Sequence, residues 1–413
     1  MNPLILSTFD ISGGAARAAF RLHNGLKDIN INSQMLVQYK TGDDPTIIGP
    51  KNKLEKWLNQ MRPTLDNLPL RLYPKHDYGT FSTQWFPDFI DYKVKHLSAD
   101  IINIHWTCGY LQIESIAKLR KPLVWTLHDM WAFTGGCHYS LECDRYTTSC
   151  GACSQLHSPK EKDLSRWVWK RKQKVFEQLD LTIVTPSHWL AKVAASSPLL
   201  KKYPIKVIPN GIDLQKYKPI DRNTARKWLN LPLDKQLILF GAATNSYRKG
   251  MHLLEGALQN LNDRKNRVEL VLFGSFQPQE YNETNLKYHY MGNLHDDISL
   301  ALVYAAADVF VAASIQDNLP NTVMESLACG TPCVAFNIGG MPDMIEHQVN
   351  GYLAQSEDTT SLAEGISWIL SNSSQKIRDC ARQKVEQEFN LELQARRYSQ
   401  LFAEVMNQNL STI

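Results

Sequence analysis

Three stretches of the chain place residue types that can do chemistry at spacings that bring them together. The first reads Asp317, Asn318, Leu319, Pro320, Asn321, Thr322, Val323, Met324, Glu325, and continues to Cys329, Gly330, Thr331 and Pro332. Proline tolerates the first helical turn because its absent N–H would have no intrahelical partner there. A helix starting near Pro320 therefore leaves the amides of Asn321 and Thr322 to receive a phosphate. Glu325 lies about one turn further, on the same helix face, where a carboxylate can accept both hydroxyls of a ribose. Asp317, in the preceding loop, can reach sugar hydroxyls. Read in isolation, Asp317 would serve equally well as a helix cap and Glu325 as a solvated helix residue.

The second stretch follows an apolar run, Leu237 to Gly241, and reads Ala242, Ala243, Thr244, Asn245, Ser246, Tyr247, Arg248, Lys249, Gly250 before a helix from Met251. Lys249 at that helix start combines a point charge with nearby backbone donors, a pairing suited to a diphosphate. Arg248 is a second cation at the same place, or an exposed surface arginine. The third stretch is Phe9, Asp10, Ile11, Ser12, Gly13, Gly14, after a first apolar run and before an alanine-rich helix. Gly13 and Gly14 allow close backbone approach to a ligand, although they lack the three spaced glycines of a dinucleotide fingerprint. Further on, the run Leu123 to Leu127 ends in His128 and Asp129. His128 at a strand's carboxyl end is a candidate for substrate contact, and Asp129 is either its orienting partner or a helix cap.

Two other clusters stand apart. Cys137, Cys143, Cys150 and Cys153 fall in one short segment, a set that could hold a tetrahedral structural zinc as a loop staple, with disulfides or free thiols as the alternatives. Lys160, Lys162, Arg166, Trp167, Trp169, Lys170, Arg171, Lys172 and Lys174 make a basic, tryptophan-bearing helix. It reads as a solvated helix with two core tryptophans, or as a patch for anionic lipid headgroups or a lipid-linked acceptor.

The elements that must position these residues follow a repeated rhythm. Apolar, β-branched runs at Leu4 to Ser7, Met35 to Gln38, Ile101 to His105, Leu123 to Leu127, Leu181 to Thr185, Leu237 to Gly241, Val268 to Gly274, Leu286 to Met291, Asp308 to Ala313 and Pro332 to Phe336 alternate with helical patterns. Because most are nearly continuous rather than alternating, both sheet faces should be covered by helices, as in doubly wound parallel α/β architecture. The length of 413 residues accommodates two such domains. Pro209, Asn210, Gly211 and Pro219 punctuate the pattern, which predicts domains over 1–215 and 216–390, with a terminal helix over 391–413 that buries Leu391, Leu393, Ala395, Tyr398, Leu401, Phe402 and Val405.

Composition excludes several classes. With 45 Lys plus Arg against 41 Asp plus Glu, the net charge of +4 does not argue for nucleic-acid binding. The amino-terminal apolar run has no basic segment before it, so no secretory signal is expected. The stretch from Leu302 to Ile315 is interrupted by Asp308 and is shorter than the roughly 20 apolar residues of a membrane span. A cytoplasmic protein, at most peripheral on the inner face of the membrane, is the expectation.

Taken together, the segment from Asp317 to Pro332 followed by Asn337, Ile338, Gly339 and Gly340 resembles the nucleotide-sugar motif of family 4 retaining glycosyltransferases, an acid, seven residues, then Glu. Here the first acid is Asp rather than the usual Glu. The loop ending at Lys249 also resembles that family's, although Ala242 and Ala243 stand where an Arg is common. Gly13, Gly14, His128 and the Pro209, Asn210, Gly211, Ile212, Asp213 turn fit the same pattern. The resemblance implies the GT-B fold, two Rossmann-like domains facing a central cleft. It implies donor contacts from Gly13, Gly14, Arg248, Lys249, Asn318, Leu319, Asn321, Thr322 and Glu325, with His128 and Asp317 at the reacting sugar. It also implies transfer of a sugar from a nucleotide-diphosphate sugar to a saccharide or lipid-linked acceptor, with retention and by a same-face route in which the leaving phosphate helps deprotonate the acceptor. The chain contains no Asp-any-Asp triplet, in agreement with transfer that requires no metal cofactor. An epimerase or phosphorylase on the same fold, or a catalytically silent sugar-nucleotide-binding protein, are the alternative readings.

Overall fold

The computed structural model describes residues 1–76, 81–242, 246–261, 267–275, 286–372 and 374–410. They fall into two compact units. The first is Met1–Pro209 with Gln394–Ile413, and the second is Asn210–Leu393.

In the first unit, the described strands are β1 (Pro3–Phe9), β2 (Gln34–Tyr39), β3 (Ile47–Ile48), β4 (Ile101–Ile104), β5 (Leu123–Thr126), β6 (Leu181–Thr185) and β7 (Ile205–Val207), in one parallel sheet of order β3-β2-β1-β4-β5-β6-β7. Side chains alternate across a strand, so the apolar runs divide between two cores. Leu4, Leu6, Leu36, Ile102, Ile104, Trp125 and Ile183 face one side, and Ile5, Met35, Val37, Ile101 and Val124 face the other. The second core is closed by the terminal helix Leu391–Leu410, whose Ala395, Tyr398, Leu401, Phe402 and Val405 are all buried against it.

In the second unit, the described strands are β8 (Gln236–Ala242), β9 (Val268–Gly274), β10 (Tyr288–Tyr290), β11 (Val309–Ala312), β12 (Cys333–Phe336) and β13 (Gly351–Ala354), again all parallel, in the order β10-β9-β8-β11-β12-β13. Leu237, Leu239, Phe310 and Ala335 pack on one face, and Ile238, Phe240, Val309, Val311 and Val334 on the other. The sequence runs found the inner strands. They missed β3, β7 and β13, which lie at sheet edges and are short or partly exposed.

Both orders reverse direction beside the first strand of their unit, between β1 and β4 and between β8 and β11. At such a reversal the connections leave on opposite faces, and a crevice opens beyond the carboxyl ends of the two strands. The unit boundary falls at residues 209/210 and 393/394 rather than at the expected 215/216 and 390/391. The cause is Ile212, which is fully buried in the second unit's core. Its N–H donates to the Phe389 carbonyl at 2.9 Å and its carbonyl accepts from the Leu391 N–H at 3.1 Å. The Asn210–Asp213 turn therefore belongs to the second unit. No helix among the described residues is long and apolar enough to cross a membrane.

Because Phe402 is completely buried between the terminal helix and the first sheet, Phe402→Ala should remove about 3–5 kcal/mol of stability. Chemical denaturation is expected to show the midpoint moving down with an unchanged slope.

Candidate functional site

In the second unit, the loops after β8 and β11 meet at the strand-order reversal. β8 leads through residues 243–245, including Ala243, which lie outside the described residues, to a single turn Tyr247–Lys249 and then the helix Met251–Gln259. Gly250 joins the last two in a left-handed conformation (φ 72°), and a Cβ there would run into the Ala313 carbonyl oxygen. Only glycine satisfies both constraints. The two loops are also stitched by the Ile315 N–H, which donates to the Arg248 carbonyl at 2.8 Å.

This approach brings three of the charged candidates together. Lys249 Nζ donates to Asp317 Oδ2 at 2.7 Å. Arg248 Nη1 lies 3.3 Å from the same oxygen and donates to the Gln316 carbonyl at 2.6 Å. Ser314 Oγ donates to Oδ2 at 3.2 Å, and the Asn318 N–H donates to Oδ1 at 3.0 Å. Burial pushes the Asp317 carboxyl up, but the Lys249 ammonium and Arg248 guanidinium outweigh it and hold its pKa at about 2. Asp317 is thus the ionised counter-ion that sets the position of two cations. Gly339, also left-handed (φ 53°), packs so closely on the Asp317 carbonyl that a Cβ would collide with it.

Beyond this loop the helix Asn321–Ala328 starts at Pro320, with no side-chain cap and no acidic residue in its first turn. Its N-terminus carries partial positive charge. Asn321 and Thr322 are half-buried on the first turn, whereas Leu319 is a core residue that anchors the loop, leaving only its backbone to address a ligand. Glu325 is 2% exposed and accepts from the buried Tyr304 hydroxyl at 3.1 Å. Burial raises the Tyr304 pKa well above its ordinary value, so that hydroxyl stays a donor and orients the carboxylate.

The first unit has its own site at the β1/β4 reversal. Ile11, Ser12, Gly13 and Gly14 are exposed, and the helix Gly14–Asp28 begins without a side-chain cap. Gly13 has φ 91° and open space around it. The loop is held from beneath by Asp10, which sequence reasoning did not single out. Its carboxylate accepts from the Thr41 N–H at 2.6 Å, the Gly42 N–H at 2.8 Å and the Thr41 hydroxyl at 2.9 Å. Burial raises its pKa, but these donors more than offset that and leave it below the ordinary value.

His128 lies two residues beyond β5, with Nε2 2.9 Å from Nδ1 of His105, the residue after β4. Burial pushes its pKa down to about 4, so it is neutral at physiological pH. In the described hydrogen bonds Asp129 orients a different histidine: its Oδ2 pairs with His138 Nδ1 at 2.7 Å and accepts from Trp106 Nε1 at 3.0 Å, while Oδ1 accepts from the Trp131 N–H at 2.8 Å. His105 escaped sequence reasoning although a signal was present, because Asn103 and His105 are two polar residues at strand spacing in an otherwise apolar run.

Two clusters read differently in three dimensions. Cys137, Cys143, Cys150 and Cys153 are all free thiols, and among the described residues no group of three or more His, Cys, Asp or Glu is arranged to hold a metal ion. Cys137 packs with Leu70, Phe81, Leu156 and Leu164, and Cys150 accepts from the Gly135 N–H at 3.1 Å. Burial pushes the Cys150 thiol up to about 11. Burial likewise raises the Cys137 and Cys153 thiols, so these three cysteines pack the loop in protonated form. In the basic helix, now Leu164–Phe176, Lys172 is fully buried and donates to the carbonyls of Trp131 and Thr134. Arg171 pairs with Glu114 at 2.6 Å and lies over the Trp167 ring, Arg166 pairs with Glu161 at 3.0 Å, and Trp169 is in the core. Three of the seven basic residues are turned inward or paired, while Lys160, Lys162, Lys170 and Lys174 stay exposed.

Two parallel α/β units, one presenting a carboxylate-anchored cation pair beside a helix start without a side-chain cap, form a setting suited to an anionic ligand. Residues 12–216 match Glycosyltransferase Family 4 and residues 234–372 match Glycosyl transferases group 1, and the chain belongs to the family 4 glycosyltransferases. It is 27% identical over 288 residues to an uncharacterized glycosyltransferase of Methanocaldococcus jannaschii, covering 66% of each chain. It is 24% identical to the provisionally named colanic acid biosynthesis glycosyl transferase WcaC of Escherichia coli, covering 88% of this chain and 90% of that one. The matches to three of the curated relatives span 66%, 45% and 57% of those proteins' lengths. Among solved structures, sucrose-phosphate synthase from Thermosynechococcus elongatus superposes with a TM-score of 0.70 at 19% identity over 98% of this chain and 99% of that one. Anabaena HepE in complex with UDP-glucose gives a TM-score of 0.64 at 18% identity over the whole of both chains. The fold is that of the GT-B glycosyltransferases.

The buried histidines make stability depend on acidity in a definite direction. His128 and His23 are both pushed by burial to about 4 from 6.5, so between those values the unfolded chain binds more protons than the folded one. Stability must then fall as the pH drops through that window. Asp317, held at about 2 instead of 3.8, extends the loss further down. Thermal melts are expected to show a midpoint falling steadily from pH 6.5 to 4, and a constant midpoint over that range would contradict neutral buried rings.

Proposed function

We propose that this protein transfers a sugar from a nucleoside-diphosphate sugar to a saccharide or lipid-linked acceptor, with retention of configuration and without a catalytic metal. The observation that carries the reading is the pair Arg248 and Lys249, held by Asp317 where the strand order of the second unit reverses. Two cations against one carboxylate leave a surplus positive charge, next to a helix start that adds backbone donors. A departing diphosphate develops negative charge, and preorganised donors stabilise that change without reorganising during the step. Glu325, oriented by Tyr304, is the group to accept the ribose hydroxyls. The similarity to Anabaena HepE, a protein crystallised with UDP-glucose, supports a uridine donor as the first to test. Retention follows from the same-face route, in which the leaving phosphate takes the acceptor proton. No carboxylate nucleophile is then required, and Asp317, bound to two cations, acts on their position and not on the anomeric carbon.

A lipid-linked acceptor is supported by a different helix from the basic one. On Lys53–Asp66, Leu54, Trp57, Leu58 and Met61 form one exposed apolar stripe at helical spacing, Leu54 being 66% and Trp57 56% exposed. Lys51, Lys53 and Lys56 are exposed around it. An apolar stripe edged by lysines suits the surface of an anionic bilayer. The name of one relative, a diphospho-undecaprenol-dependent N-acetylgalactosaminyltransferase of Campylobacter jejuni, fits such an acceptor.

Incubation with UDP-, GDP- and ADP-sugars is expected to release nucleoside diphosphate only when acceptor is present. Lys249→Ala should lower kcat/KM by on the order of a hundredfold or more while the fold persists. Donor isomerisation without release, or binding without turnover, would replace transfer by the epimerase or silent-binder reading. Sedimentation with phosphatidylglycerol vesicles should pull down the wild type, and Trp57→Glu should abolish it with no change in melting temperature.

A further inference from the structure

The protonation pattern around His128 can be deduced from a single fixed point. The Val124 carbonyl oxygen can only accept a hydrogen bond, and Asn103 Nδ2 lies 3.2 Å from it and 2.9 Å from Thr126 Oγ1. That end of the Asn103 amide is therefore the NH2, and the other end is the carbonyl oxygen. Asn103 Oδ1 is 2.8 Å from His105 Nε2, so Nε2 must carry a proton. His105 is 3% exposed, and burial lowers its pKa well below the ordinary value, so the ring is neutral and holds one proton only. Its Nδ1 is then a lone pair. Nδ1 lies 2.9 Å from His128 Nε2, and a lone pair in hydrogen-bond contact requires an N–H opposite. His128, neutral as well, must carry its single proton on Nε2.

We propose that Asn103 and His105 are positioning residues that lock His128 as the Nε2–H tautomer, leaving Nδ1 as a hydrogen-bond acceptor. The inference rests on the reading of His128 as a substrate-contacting residue. Its consequence is a choice of ligand chemistry. With Nδ1 a lone pair, a group meeting that edge of the ring must donate, which a sugar hydroxyl does and a phosphate oxygen cannot. The remainder of the line reaches the terminal helix, since Thr126 Oγ1 is 2.9 Å from the buried Tyr398 hydroxyl. The backbone carbonyl, amide, two rings and two hydroxyls form one continuous network whose members hold one another in register, buried except at the partly exposed His128.

The test is long-range 1H–15N correlation of histidine side chains in the full chain labelled with [15N]histidine, with His128 assigned by its disappearance in His128→Gln. The wild type at pH 7.5 is expected to show His128 with a protonated Nε2 and an unprotonated Nδ1. A protonated Nδ1 would overturn the proposal without any further variant. In His105→Phe the lock is gone and His128 should become a mixture of tautomers, with kcat/KM lower by on the order of tenfold to a hundredfold. His105→Gln, which can offer an amide oxygen to the same N–H, should restore the single tautomer and much of the activity. An unchanged His128 spectrum in His105→Phe would also overturn the lock. Full transfer activity in His128→Gln alongside the expected tautomers would instead sink the substrate-contact reading and leave the lock standing.

Discussion

An ionised carboxylate buried at the end of a strand is stable only with cations or donors pressed against it, and Asp317 has both. Lys249, Arg248, Ser314 and the Asn318 N–H converge on its two oxygens. The requirement works in both directions. The carboxylate needs the cations to stay charged in a buried place, and the cations are denied the conformational freedom that exposed Lys and Arg side chains normally keep. Because Lys249 and Asp317 are 68 residues apart, their contact exists only while β8 and β11 are neighbours. The sheet's reversal of strand order and the electrostatics of the site are the same fact seen at two scales. Replacing the usual Glu of the family pattern by Asp shortens the reach of the carboxylate, consistent with its position against the cations at the strand end.

The first unit solves a similar topological problem with a different charge pattern. Asp10 is the buried strand-end carboxylate there, and it is satisfied by the Thr41 and Gly42 amides and the Thr41 hydroxyl. In the same unit, His128 and His105 are neutral. One unit offers mobile-charge chemistry held in place by a counter-ion, and the other offers uncharged donors and acceptors. Anionic groups want cations and hydroxyls want directional hydrogen bonds, so the two units suit different partners.

Much of this was legible in the chain because inner parallel strands are continuous apolar runs, and those runs were visible. Three of the four described edge strands were not, since Ile47–Ile48 is only two residues long and Ile205–Val207 and Gly351–Ala354 are partly exposed, whereas Tyr288–Tyr290 fell within a run. Lys249, Asp317 and Glu325 were singled out from spacing together with the family resemblance, but the counter-ion role of Asp317 depends on a contact between distant residues that no local pattern carries. Asp10 was missed for the same reason, since its partners lie at Thr41 and Gly42. The basic helix is a different failure, because its signal was local. Val168, Trp169, Lys172, Val175 and Phe176 recur at helical spacing and are all buried, so Lys172 sits within the apolar stripe and its burial could have been read from period alone. The cysteines are close in sequence, but among the described residues their thiols do not form a metal-holding group.

Rigidity of the loops decides how useful these groups are, and here it comes from backbone, not from side chains. Gly250 allows the β8 loop to lie against the Ala313 carbonyl, and Gly339 allows the segment after β12 to lie against the Asp317 carbonyl. Both glycines are left-handed as well, so a larger residue would meet a torsional penalty in addition to the clash. Three loops from β8, β11 and β12 are thereby fastened to one another by main-chain contact, and the Ile315 N–H to Arg248 carbonyl bond adds a directional tie. Loops fixed in this way lose little further entropy when a ligand arrives, so attraction to the ligand is not diluted by ordering the protein. The positions of Arg248 and Lys249 are then set in advance, and charges fixed in advance are the kind that lower a barrier where charge develops beside them instead of merely following it.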